Sequence, residues 1–295
     1  MVISFNGLGN EGRLGNQMFQ YAFLRGVADN INSDWIIPPE DALRYDNYGL
    51  YDCFVLKNCE EKNRGESNFN DHVYREMHFN ESVFNWNQGD VNFSGNFQSE
   101  RYFENIIEQI REDFTFNDDY LKPCQEYINS IGGRDENIFL HVRRGSPNLT
   151  GRRGEKWSYQ MIQEYHPLCK KDYYLKALEH FPDKKVIVVS DTIDWCKEQD
   201  WLQDDRFLFS DSSYETFGDG ASVPYIDLCL MSLCGGAIIA NSSLSWWGAW
   251  LQNDTGKVIA PDPWFGSAYA HYDMKDMIPD RWIKIYNDPT PINIE

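Results

Sequence analysis

Five short apolar runs in the second half of the chain constrain its fold more than any other feature: Ile138–Val142, Lys185–Val189, Arg206–Phe209, Ala237–Ala240 and Lys257–Ala260. Each has the length and bounding residues of a buried strand rather than a helix. Stretches of helical period separate most of them, at Tyr173–Phe181, Ile193–Leu202, Pro224–Cys234 and Leu244–Leu251. Strand alternating with helix predicts an α/β fold, a parallel sheet with helices on both faces. Such a sheet binds ligands outside the carboxyl ends of its strands, so the residues that follow each run carry the functional information.

The first run leads into His141-Val142-Arg143-Arg144-Gly145-Ser146. An adjacent arginine pair taken alone reads as surface charge. At a strand end running into glycine, both can turn toward one ligand, and the planar guanidinium matches phosphate bidentately. The second run ends in Ser190-Asp191, where the acid either caps the next helix or suits ribose hydroxyls or a guanine edge. The fourth run ends in Asn241-Ser242-Ser243 at a helix start, where free amides and the helix dipole favour an anion. Cations, a carboxylate and a hydroxyl cluster on one sheet edge describe a nucleoside diphosphate site. Trp246, Trp247 and Trp250 follow on the last helix. Two of these rings are expected in the core, and one is left to line the donor pocket.

The amino-terminal half is less regular. Val2–Phe5 reads as a strand, Gly15 to Asp29 as a helix, Trp35–Ile37 as a strand stopped by Pro38-Pro39, and Tyr102–Phe114 as a helix. Residues 40 to 100 show no long period and predict short helices and loops. Pro123 and Gly132-Gly133 punctuate the chain, which places a boundary between domains 1–132 and 133–295. Gly7-Leu8-Gly9-Asn10-Glu11-Gly12, with Glu40 further on, matches the dinucleotide fingerprint, a weak signal when it stands alone.

Composition excludes several classes. A net charge of -19 repels nucleic acid and anionic lipid, so an anion site must be basic locally; Arg143, Arg144, Arg152 and Arg153 supply that. Seven cysteines without a Cys-x-x-Cys pair read as reduced, mostly buried thiols of a cytoplasmic protein, peripheral to a membrane at most. No run is long enough for a membrane span, and the amino terminus lacks the pattern of a signal peptide. There is no Asp-x-Asp pair, no histidine spacing for a metal, and no Gly-x-x-x-x-Gly-Lys-Ser/Thr phosphate loop.

Gly15-Asn16-Gln17-Met18-Phe19-Gln20-Tyr21-Ala22, His141 to Gly145, Ser190-Asp191, and Asn241 to Leu251 occur in that order. Together they resemble the α-1,2-fucosyltransferases of glycosyltransferase family 11, and the likeness covers most of the chain. The resemblance implies a GT-B-type fold, two Rossmann-like domains facing a cleft, the first on the acceptor side and the second holding the donor. It implies GDP-fucose as donor, a galactose-terminated glycan as acceptor, inversion at the anomeric carbon, and no metal or other cofactor. Carried onto matching positions, Arg143 holds the donor's phosphates with Arg144 in support. Asn16, flanked by Gly15 and Gln17, reaches the same phosphates. Asp191 beside Ser190 contacts the nucleoside. Ser242, Ser243 and Ser245, with Asn241 and Trp246, line the phosphate end, and His141 orients the loop.

Two departures stand out. The family's histidine–arginine motif commonly ends in Asp, and Ser146 stands there. An insertion separates the first strand from Gly15. With Ser146 in place of the acid, Glu155 is the first candidate for the general base, with Asp191 and Glu164 behind it. Two other readings keep the fold: a transferase of another GDP-sugar or acceptor, and a sugar-binding homologue with weak turnover.

Overall fold

The structure, a computed structural model, describes residues 1–10, 12–42, 48–145, 158–210, 224–252 and 256–292. The chain forms two compact units. One is built on Met1–Leu121 and rejoined by Tyr272–Pro279. The other takes in Lys122–Tyr214, Ile226–His271 and the chain from Asp280 onward.

The first unit opens with β1 (Val2–Ser4), α1 (Leu14–Asn30) and β2 (Asp34–Ile36). α2 (Leu50–Cys53), β3 (Asp71–Val73), β4 (Val91–Ser94) and α3 (Ile107–Asp113) follow. The strands make a parallel sheet in the order β2-β1-β4-β3. α1 carries the chain from β1 back to its parallel neighbour β2, and most of its 17 residues are buried. Phe23 of α1 stacks on Phe97 at 3.5 Å between centroids and meets Phe93 of β4 edge-on at 5.4 Å. These contacts hold β4 and the residues just after it, in a stretch that lacks periodicity. Its strands are three or four residues long, and their aromatic partners lie far away in sequence. The stretch from Tyr102 to Phe114 is a broken helix: two single turns of 3-10 type precede α3.

Asp113, at the end of α3, is fully buried in this unit. It pairs with Arg25 and accepts from Tyr21 Oη at 3.0 Å, Asn58 N at 2.7 Å and Asn58 Nδ2 at 2.9 Å. The ion pair is thus hydrogen-bonded on all sides, the condition under which a buried charge is tolerated.

α4 (Asp118–Ser130) leads toward the second sheet, and Pro123 lies within it rather than breaking the chain. β5 (Asn137–Val142), α5 (Tyr159–Tyr165), α6 (Lys171–Leu178), β6 (Lys185–Ser190), α7 (Ile193–Lys197) and β7 (Phe207–Phe209) come next. α8 (Tyr225–Leu233), β8 (Ala237–Ile238), α9 (Ser243–Trp250), β9 (Val258–Asp262) and β10 (Ile283–Tyr286) complete it. All five expected strands are present, and β10 adds a sixth. It is an exposed edge strand with a weak apolar signal.

This sheet is parallel throughout, in the order β10-β9-β8-β5-β6-β7. From β5 the chain steps outward to β6 and β7, then returns to the other side of β5 and steps outward through β8, β9 and β10. That is the doubly wound Rossmann order, with its switch point between β5 and β8. Ile138, Leu140 and Val142 of β5 face a core shared with Tyr173, Tyr174 and Ala177 of α6. Phe139 and His141 therefore face the opposite side. Tyr174 Oη donates to the His141 carbonyl at 3.0 Å, and Tyr173 Oη to the Ile239 carbonyl at 2.6 Å. Two buried phenols thus tie down the chain at the ends of β5 and β8. The α/β class with two parallel sheets agrees with the sequence reading.

All seven cysteines are free thiols, six of them buried. Among the described residues no helix is long and apolar enough to cross a membrane.

Candidate active site

β5 delivers the arginine pair to the switch point. Gly145 has φ +75°, a left-handed conformation that costs glycine nothing, and it turns the chain sharply after Arg144. The turn is held from β6: Asp191 accepts from Arg144 N at 3.0 Å and Gly145 N at 2.8 Å, and pairs with the Arg143 guanidinium. Arg144 lays its guanidinium over the Trp195 indole of α7 at 3.9 Å from the ring centroid. Tyr159 Oη of α5 donates to the Arg144 carbonyl. So both arginines are oriented before any ligand arrives.

Asp191 does not cap α7, whose N-cap is Thr192. Its carboxylate holds the arginine loop. Ser190, 3% exposed, accepts from Thr192 N at 3.0 Å, so its hydroxyl is committed to the turn.

At β8, Ser242 is the N-cap of α9, and no side-chain cap bond is formed there. Ser242 and Ser243 are partly exposed. Ser245 is buried, and its hydroxyl turns back to the carbonyls of Ala240 and Ser242, each at 3.3 Å. Asn241 reaches sideways: Nδ2 donates to the Pro167 carbonyl at 2.7 Å, and Oδ1 accepts from Cys169 Sγ at 3.8 Å. Trp246, Trp247 and Trp250 are all buried, with Trp246 packed on Trp282 at 5.3 Å. The ring expected to line a pocket is enclosed: Trp246 is core in this structure, because α9 turns its tryptophan face to the protein interior.

His141 is 3% exposed, and among the described residues its Nδ1 is buried without a hydrogen-bond partner. An unsatisfied buried polar atom costs about 1–3 kcal/mol, and such atoms concentrate at functional sites. Burial pushes its pKa down to about 4, opposed by Asp191 and reinforced by Arg143. The ring is therefore neutral in the fold, whereas an unfolded histidine protonates near 6.5. Between those two values the unfolded state binds more protons, so folding stability falls as pH drops through that window. The interval corresponds to about 3 kcal/mol. Denaturation of His141→Gln across pH 7 to 4 is expected to show a shallower loss of stability than wild type. Equal slopes would refute the assignment.

In the other unit, Gly15, Asn16 and Gln17 lie in the first turn of α1, after the glycine loop that follows β1. Asn16 Oδ1 accepts from Gln98 Nε2 at 2.8 Å. Gln17 is buried, donates to the Gly12 carbonyl at 3.3 Å and accepts from Gly49 N at 3.0 Å. Its amide clips that loop to the start of α2. Gly9 and Gly12 both have positive φ, so a strand–loop–helix context does surround the glycine run.

Ser146, Arg152, Arg153 and Glu155 lie outside the described residues. Glu164 is exposed on α5. Four side chains that the sequence did not single out join the same sheet edge. Tyr159 and Trp195 hold the arginine loop. Asp227 of α8, 5% exposed, accepts from Ser210 Oγ at 2.7 Å just past β7. His166 is lowered to about 4, first by desolvation and then by the Arg143 charge. None belongs to a motif with a recognisable spacing.

A parallel doubly wound sheet with two arginines and a helix start at its switch point is the architecture of a nucleotide-binding domain. The Glycosyl transferase family 11 profile matches residues 3–286, and the chain belongs to that family of glycosyltransferases. It is 30% identical to an α-1,2-colitosyltransferase of Escherichia coli, over 93% of this chain and 96% of that protein. It is 25% identical to the human galactoside α-(1,2)-fucosyltransferase 1, over 95% of this chain and 75% of that one. Among solved structures, POFUT1 in complex with GDP-fucose aligns with TM-score 0.48 at 10% identity, covering 87% of this chain and 95% of that chain. The fucosyltransferase NodZ from Bradyrhizobium aligns with TM-score 0.49 at 11% identity, covering 84% and 92%.

Proposed function

We propose that this glycosyltransferase moves L-fucose from GDP-fucose to O2 of a terminal galactose, with inversion and without a metal ion. The observation that carries the reading is the pre-oriented Arg143 at the switch point of a family 11 chain, with the α9 amino terminus on the neighbouring strand. The acceptor hydroxyl attacks the anomeric carbon. A C–O bond forms, the bond to the β-phosphate breaks, and GDP leaves with the electron pair while the hydroxyl proton passes to a base or to water. The transition state resembles an oxocarbenium ion, as in inverting sugar hydrolysis. Charge accumulates on the leaving diphosphate, where Arg143 and the free amides of α9 are pre-placed donors. Asp191 keeps Arg143 oriented, and Trp195 and Tyr159 hold Arg144, which adds positive charge.

A second reading changes the donor. Colitose is 3-deoxy-L-fucose, and identity to the colitosyltransferase extends over nearly the whole chain. GDP release measured with GDP-fucose, GDP-colitose and GDP-mannose, each with and without lactose, separates the readings. Release that requires GDP-fucose and lactose together, with an α-1,2 product by NMR and an unchanged rate in EDTA, supports the first. Preference for GDP-colitose supports the second. Release with no donor would leave a sugar-binding homologue.

A further inference from the structure

We propose that the exposed face formed by His166 and Tyr269 is the subsite for the terminal galactoside ring of the acceptor. The inference rests on the reading of the protein as a galactoside-directed transferase.

Two strand ends and one helix end converge on this face. His166 caps the carboxyl end of α5, and the next residue, Pro167, is bonded through its carbonyl to Asn241 after β8. The loop after β9 closes on the same segment: Gly266 N donates to the Tyr165 carbonyl at 3.1 Å. A Cβ on Gly266 would lie 2.4 Å from the Glu164 carbonyl oxygen, so only glycine admits this approach. It brings Phe265 and Tyr269 against α5. Phe265, 9% exposed, backs the cluster, 5.4 Å from His166 and 5.2 Å from Tyr269. His166 itself is exposed, and Tyr269 is half-buried. Asn241 directly precedes Ser242, the N-cap of α9, so its bond to Pro167 places the face beside that helix start.

The chemistry fits a sugar rather than a phosphate. Desolvation, reinforced by the Arg143 charge, pushes the His166 pKa down to about 4, so the ring is neutral at ordinary pH. A neutral imidazole and a phenol offer π faces and hydrogen-bonding edges, not charge. A β-galactoside presents C–H groups on one face because O4 is axial, and such a face stacks on aromatic rings. The donor's sugar is a single ring tethered to the phosphates. His166 meets Tyr269 at 6.3 Å and Tyr269 meets Tyr165 at 5.0 Å, both edge-on, so the cluster presents ring edges as well as faces. The donor is anchored through its charged diphosphate, so a neutral face beside that anchor suits the uncharged acceptor.

The test compares wild type with His166→Ala, Tyr269→Ala and His166→Phe. KM for lactose, KM for GDP-fucose and acceptor-independent hydrolysis of GDP-fucose are measured for each. The alanine variants are expected to raise lactose KM about tenfold, the scale of losing one aromatic contact, with the donor parameters within twofold. His166→Phe keeps a stacking face and is expected to retain most lactose affinity. Unchanged lactose KM in both alanine variants, or a rise in donor KM in their place, would overturn the assignment. Saturation-transfer NMR with lactose needs no turnover: transfer to the galactose C–H protons that His166→Ala abolishes supports the subsite even if the GDP-fucose reading fails. No transfer to wild type overturns it.

Discussion

Replacing Arg143 by alanine is expected to lower turnover of GDP-fucose about a hundredfold or more, roughly 3 kcal/mol, the scale of losing one pre-placed donor to transition-state charge. The loss should fall on kcat more than on donor KM, because charge on the leaving diphosphate grows only as the glycosidic bond breaks. Arg143 is suited to this by its support. Asp191 accepts from the two amides that follow it as well as from its guanidinium, so the side chain is oriented without being used up. A guanidinium has five donors, and one carboxylate leaves several for phosphate. Arg143→Lys keeps the charge and loses the fork, so partial recovery is expected. Coupled GDP-release kinetics decide it. Turnover of the alanine variant within tenfold of wild type would remove Arg143 from the reaction.

The largest stability effect is expected at Asp113, far in sequence from the arginines. Asp113→Ala removes the acceptor for Arg25, Tyr21 and both nitrogens of Asn58 while leaving the Arg25 charge enclosed, its side chain 11% exposed. Breaking a buried pair from one side costs about 3–5 kcal/mol, a large share of the roughly 5–15 kcal/mol that holds a typical domain. Denaturant titration should show an early transition for the unit that holds α1 and α3. Arg25→Met combined with Asp113→Leu should recover much of the loss, because no charge is then stranded. A single-variant loss below about 1 kcal/mol would show that Arg25 finds another partner or water.

The second sheet was legible from the amino-acid sequence because parallel strands are buried on both faces and read as continuous apolar runs. Strand ends are equally visible, since the apolar run stops where chemistry starts. The region from 40 to 100 was opaque for the opposite reason. β3 and β4 are too short to show a period, and their order comes from rings such as Phe23, Phe93 and Phe97 meeting across the chain. β10 is silent in the sequence because an edge strand with exposed side chains carries little apolar signal. Pro123 reads as a break in the sequence and sits within α4.

The candidate site divides the same way. His141, Arg143, Arg144, Asp191, Ser242 and Ser243 could be named from their positions after strands. Their roles could not. Asp191 looked equally able to cap a helix or touch a nucleoside, and the fold has it holding the arginine loop. Gln17 and Ser245 spend their polar atoms inside the protein, and Trp246 is enclosed. Trp195, Tyr159, Asp227 and His166 reach the same edge from helices whose sequences advertise nothing but packing.

By itself, the sequence determined the α/β class, the family and the residues that stand at the carboxyl edge, because these depend on local period and on order along the chain. The tertiary structure alone decided which atoms are committed within the protein and which stand ready at that edge. It put Asp191 against the arginine loop and left Ser242 and Ser243 partly exposed at the start of α9. It also set His166 beside Tyr269. Those outcomes depend on which strands become neighbours, and a chain that steps outward from β5 in both directions brings together residues a hundred positions apart.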